Sequence, residues 1–175
     1  GGVHLLPSLA PGFKASWHHK FGEGGYKGTY SLLLVLSFAL MSLGWRSAQP
    51  ELVYLPLAEL RHPAMALVAI AFLLFVISNR RSRVRLWVRH PQLTGVLLWA
   101  VAHLMMNGDN RSVVLFGALA AWSCVEILAI NRREGVWIKG DAPGLGTELA
   151  TILITAVVVA LVVAAHPYIS GMPVL

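Results

Sequence analysis

The sequence predicts an all-α fold, a polytopic transmembrane helical bundle of about six helices. Apolar residues make up 57 % of the 175 residues and charged residues only 13 %, against about 25 % charged in ordinary soluble domains. So few charges cannot cover a globule in water. The apolar residues also fall in long blocks parted by short basic clusters, and a helix needs about 20 such residues to cross a bilayer. The period-2 alternation that a membrane β-barrel requires is not visible.

The spans follow in order. The segment GGVHLLPSLAPGF offers only about ten apolar residues before Pro11, half of what a crossing needs. It reads as the partial tail of a first helix over 1–11, and nothing in it suggests a signal peptide. Lys14 to Gly28 is a basic, aromatic and glycine-rich stretch, read as a connection at the membrane interface in which His18 and His19 are solvated. A second span runs over 29–45. The linker 46–61 carries both charge signs and two prolines, with a Leu-Val-Tyr-Leu-Pro-Leu piece that suits the interface. A third span covers 62–78, with Pro63 in its first turn, where a missing N–H costs nothing.

Five arginines follow, Arg80, Arg81, Arg83, Arg85 and Arg89. The fourth span, 91–106, opens at Pro91 and closes at an Asn107-Gly108-Asp109 turn signal. The fifth covers 112–130, with Asp109 or Ser112 as its expected N-cap. The sixth covers 147–165 and is expected to stop at His166-Pro167. The single cysteine, Cys124, excludes an intrachain disulfide and reads as a buried structural thiol.

The formal charge is +6, but the cations sit between apolar spans. That placement suits topology and lipid headgroups, so membrane lipid and no nucleic acid is the expected partner. Alternate assignment of loops puts Lys14, Lys20, Lys27, Arg80, Arg81, Arg83, Arg85, Arg89, Arg132, Arg133 and Lys139 on one side. Arg46, Arg61 and Arg111 fall on the other. The positive-inside rule makes the first side cytoplasmic, with both ends of the chain on the outer side.

The fourth span carries the candidate site. At 3.6 residues per turn, Gln92, Val96, Trp99 and His103 share one face, with Gly95 at its edge. A glycine there allows a neighbouring helix or a flat cofactor to approach closely, and an ionisable residue inside a membrane needs a partner. The other histidine at membrane depth is His4, roughly 10 Å in from Pro11, whereas His103 lies roughly 18 Å in from Pro91 at 1.5 Å per residue. Two imidazoles on facing helices suit haem iron, and arginines such as Arg89 suit its propionates. Two histidines bonded separately to backbone carbonyls fit the same residues. No Walker or Rossmann glycine motif and no Ser-His-Asp arrangement is present.

The pieces His4–Ser8, Gly22–Leu32, Arg89–Asp109 and Leu115–Trp122 resemble the NnrU family of bacterial membrane proteins. The resemblance implies a multi-pass protein of the bacterial inner membrane linked to denitrification, that is, to nitrite and nitric oxide metabolism. That family is in turn similar to the 15-cis-zeta-carotene isomerases, membrane haem b proteins with a histidine on an early helix and a Trp-Cys-x-Ala-His element. On this chain the early histidine matches His4 and the element reads Trp99-Ala100-Val101-Ala102-His103. The resemblance therefore implies haem b on His4 and His103, with Trp99, Gln92 and Arg89 around it and a possible isomerase-like or nitric oxide-responsive activity. Ala100 stands where the isomerases have cysteine, so thiolate ligation there is excluded. Two alternatives accompany this reading. Arg89-His90-Pro91 with Gly95 is similar to an element of isoprenylcysteine carboxyl methyltransferases, which use S-adenosylmethionine, although only Glu134 matches their downstream glutamate pair. A cofactor-free assembly partner of other membrane proteins is the remaining reading.

Overall fold

The structure, a computed structural model, describes residues 11–171. Five helices follow one another: α1 (Pro11–Ser47), α2 (Arg61–Ser78), α3 (Pro91–Met106), α4 (Asn110–Glu134) and α5 (Leu145–Ser170). Single 3-10 turns at Ala58–Leu60 and Arg83–Leu86 precede α2 and α3. Four helical stretches are long and apolar enough to cross a membrane, and α3 is a shorter apolar helix. The expectation of about six helices is thus not reached among the described residues, and the partial first span over 1–11 lies almost wholly outside them.

Residues 14–28, expected to be a connection, are helical and run into the following span. Their lysines and aromatics serve a helix end as well as they would serve a loop. The helix breaks at Gly22, whose backbone (φ 67°, ψ 177°) is one that only glycine adopts readily. Around the break Trp17 meets Tyr26 edge-on at 5.3 Å, Tyr26 stacks on Tyr30 at 5.9 Å, and His18 lies 5.5 Å from Tyr26. The sixth expected span also differs, because α5 continues past Pro167 to Ser170 and ends at left-handed Gly171. A proline so near a helix end removes a single hydrogen bond and need not stop the last turn.

The centre of the bundle is α3, which packs against α2 on one side and α4 on the other; α5 joins through α2. Without a hydrophobic drive between helices in lipid, close packing of small residues has to hold them. Ala64, Ala71, Ala100 and Ala102 are all buried. Gly95 is the closest approach between two helices: a methyl there would stand 2.7 Å from Phe75 Cε1 and 3.0 Å from the Ala71 carbonyl of α2. The glycine on the site face therefore serves a helix contact. On α4 the packed face is Ser112, Phe116, Ser123 and Glu126. Cys124 sits one residue off that face and is exposed, which corrects its expected burial.

The two ends of the bundle are tied differently. At one end the α1–α2 linker lies against the α3–α4 turn. Val53 and Tyr54 donate from their backbones to the Gly108 carbonyl at 2.8 and 3.1 Å, and Asn110 N–H donates to Glu51 at 2.9 Å. Tyr54 Oη donates to the Asn107 and Leu104 carbonyls. Arg111 lies over the Trp45 ring at 4.9 Å, joining α1 to this knot. Asp109 is the N-cap of α4: it accepts from Arg111 N, from Ser112 N at 3.2 Å and from Ser112 Oγ at 2.6 Å. At the other end Glu148 of α5 accepts from Ser82 Oγ at 3.1 Å and Arg83 N–H at 2.5 Å. Arg80 Nε reaches buried Thr151 at 3.5 Å. This second end gathers Arg80, Arg81, Arg83, Arg85, Arg89, Arg132, Arg133 and Lys139, and the first holds Arg46, Arg61 and Arg111.

Two predictions follow from these ties. A Cβ on Gly108 would lie 1.8 Å from the Tyr54 carbonyl, whereas one on Gly117 meets nothing within 4 Å. Gly108→Ala is expected to lower thermal stability in detergent by at least the 1–3 kcal/mol or so of overpacking, while Gly117→Ala leaves it level or raises it. The second concerns Asp109. Burial disfavours its charge, but the bonds from Ser112 and Arg111 outweigh this and hold its carboxyl below the usual range. Its capping contribution is thus present at neutral pH and is lost as pH falls through the lowered value. Wild type should lead Asp109→Ala by about 1 kcal/mol at neutral pH, and melting curves should converge once the pH is well below about 4.

Candidate functional site

His103 is on the last turn of α3, half-buried, where the sequence places it one turn after Trp99. Its Nδ1–H donates to the Trp99 carbonyl at 2.8 Å. That bond fixes the ring and leaves Nε2 as the nitrogen with a lone pair, the way a backbone carbonyl orients a metal-binding histidine. Nε2 makes no hydrogen bond among the described residues. Two aromatic rings hold the imidazole: Phe116 of α4 stacks on it with centroids 4.5 Å apart and planes at 30°, and Trp99 lies 4.5 Å away. Trp99 and Phe116 in turn meet edge-on at 5.2 Å. Asn107 donates from N–H and Nδ2 to the His103 carbonyl, closing the helix end below the ring.

Trp99 and His103 are thus brought together, as expected. Gln92 and Arg89 belong to the other end of α3, since eleven residues of helix separate Gln92 from His103, about 16 Å. Gln92 is exposed. Arg89 is turned to α4, where Nη1 donates to the Gly135 carbonyl at 2.8 Å and Nη2 pairs with Glu134 at 3.3 Å. His90 Nε2–H donates to Asn131 Oδ1 at 2.9 Å. Arg89 thus meets Glu134 and His90 meets Asn131, both as ties between the start of α3 and the end of α4. His4 lies outside the described residues. Among the described residues no group of three or more His, Cys, Asp or Glu could hold a metal ion.

Two residues escaped the sequence reading. Glu126 is only 8 % exposed although it sits inside an apolar span, on the same face of α4 as Ser123 and Phe116. It lies within electrostatic range of Tyr30 on α1. Its signal was available, because it is the only charged residue between Ser112 and Ile130, and intramembrane carboxylates are rare and costly. The other is His166 of α5, read as part of a helix stop, which lies close enough to His103 for their charges to interact. No spacing in sequence links these two histidines.

Several long apolar helices packed about a short one that carries a half-buried imidazole define a multi-pass helical membrane protein. The chain belongs to the NnrU family: the family model described as NnrU protein matches residues 1–174, essentially its whole length. No curated protein and no solved structure matches it.

Arg89 is the residue whose removal tests the ties at the basic end. Arg89→Ala frees the Gly135 carbonyl and leaves Glu134 with Arg133 alone, so loop 135–144 should be cut several times faster in limited proteolysis. The α3–α4 turn at the opposite end should keep its wild-type resistance.

Proposed function

We propose that this NnrU-family protein is a haem b protein of the bacterial inner membrane acting in nitrite and nitric oxide metabolism, with His103 as an axial ligand. The observation that carries the reading is the orientation of His103, whose Nδ1 is spent on the Trp99 carbonyl so that Nε2 is presented as a donor. A metal site built from side chains alone needs three or four ligands, and the described residues hold no such group. Haem asks less of the protein, since the porphyrin brings four nitrogens and the chain supplies one or two axial groups. The neutral donor and the Trp99 and Phe116 rings beside it suit that chemistry. His4 is the proposed second ligand. Haem held there would supply reversible electron transfer and the binding of small ligands such as nitric oxide.

The chain's own contribution is orientation and enclosure. Trp99 positions the imidazole through its carbonyl and, with Phe116, walls it against water. Asn107 fixes the end of the helix that carries it. Ala100 gives no thiolate, so ligation from that position is excluded. Arg89 and Gln92, about 16 Å or more away along α3, serve something other than the iron's immediate surroundings. In orientation, the end with eight of the basic side chains faces the cytoplasm and the knot of Tyr54 and Gly108 faces outward. Methyl transfer from S-adenosylmethionine ranks second, supported by the pairing of Arg89 with Glu134 beside His90.

Purified from haem-sufficient cells, the full chain should show a Soret band and a pyridine haemochrome of b type. His103→Ala should lose the haem and His18→Ala should keep it. Colourless protein, or equal retention by both variants, contradicts the assignment. Loss on His166→Ala but not on His4→Ala moves the second ligand to α5. Calorimetric heat with S-adenosylmethionine that disappears in Arg89→Ala would favour the methyl-transfer reading instead.

A further inference from the structure

The basic end of the bundle holds a cavity of about 240 Å³ between the end of α2 and the start of α3. Ser78, Arg85, Arg89, His90 and Gln92 supply its polar lining, and no Asp or Glu lines it. Two arginines therefore line one small, open depression. Arg89 is only 18 % exposed in its side chain, and its bonds to Gly135 and Glu134 hold it in place; half-exposed Glu134 offsets part of its charge from outside the lining. Arg85 is exposed and has a single contact, Nη1 to the Arg80 carbonyl at 3.3 Å, which leaves most of its donors available. The donors left for a ligand come from Arg85, the remaining N–H groups of Arg89 and the exposed Gln92 amide, since the Ser78 hydroxyl donates to the Phe75 carbonyl and His90 Nε2–H to Asn131.

Size and setting narrow the ligand. The volume equals roughly eight waters at about 30 Å³ each and falls below the range of about 300–1,000 Å³ usual for drug-sized ligands. It suits a phosphate group with a small alcohol. Trp87, on the same loop, is 84 % exposed, as an aromatic at headgroup level is. Paired arginines recognise phosphate oxygens through several parallel N–H bonds.

We propose that this cavity is a binding site for a phosphate ester anion, with Arg85 and Arg89 as its cationic clamp. A phospholipid headgroup and a free phosphate present the same oxyanion. The site stands apart from His103 and does not depend on haem.

The test uses the full chain in a non-ionic detergent, titrated calorimetrically with short-chain phosphatidylglycerol, with inorganic phosphate, and with short-chain phosphatidylcholine as the zwitterionic reference. Arg85→Gln removes one clamp without removing a buried contact. Lys139→Gln removes the same charge at the same end but outside the cavity; circular dichroism confirms that both are folded. Phosphatidylglycerol is expected to bind more tightly than phosphatidylcholine. Arg85→Gln should weaken it about fivefold, and Lys139→Gln by less than about twofold, as salt screens distant charges. Binding of the anionic lipid alone with this dependence identifies a headgroup site. The same dependence for inorganic phosphate identifies a site for the free anion. Equal weakening by both variants, or no binding of either anion, overturns the proposal.

Discussion

Close packing of α3 between α2 and α4 is the constraint on which the rest of the structure depends. A helix of sixteen residues is short for a bilayer crossing, so its neighbours have to hold it. Gly95 lets α2 approach until Phe75 and the Ala71 carbonyl fill the space of a side chain. Phe116 closes the other flank by stacking on His103. In lipid, where apolar surface is not driven together as in water, such contacts between small residues and flat rings carry the association. They also fix the imidazole, because the helix that bears it has little freedom to rotate.

The ends of the bundle complete that restraint by opposite means. The knot of Tyr54 and Gly108 uses backbone: the linker before α2 pairs with Gly108, and Tyr54 caps the carbonyls at the end of α3. The basic end uses side chains: Glu148 receives the turn before α3, and Arg89 and His90 hold the end of α4. Glu126 is a buried carboxylate on the packed face of α4, with Ser123 and Phe116.

Much of this was legible in the sequence. Membrane-spanning character followed from long apolar blocks, and the start of α3 at Pro91 and the cap at Asp109 followed from local chemistry. Trp99 and His103 were on one face because helical spacing puts them there. The errors share a physical cause. Residues 14–28 look like a loop by composition, yet Gly22 alone absorbs the bend and the rest stays helical. Gln92 shares a helical face with His103 but not a depth, and angular position says nothing about distance along the axis. Cys124 was given to the interior because its span is apolar, although a lipid-facing position is apolar too. The nearness of His166 to His103 depends on how α5 packs, which no local pattern encodes.

The central claim is that His103 is an axial ligand to haem iron. Near-infrared magnetic circular dichroism of the ferric full chain tests it most directly, since the charge-transfer band reports the axial donor set. A band of nitrogen-ligated low-spin haem is expected in the wild type, abolished or displaced in His103→Ala. A haem whose band is the same in wild type and His103→Ala would contradict it.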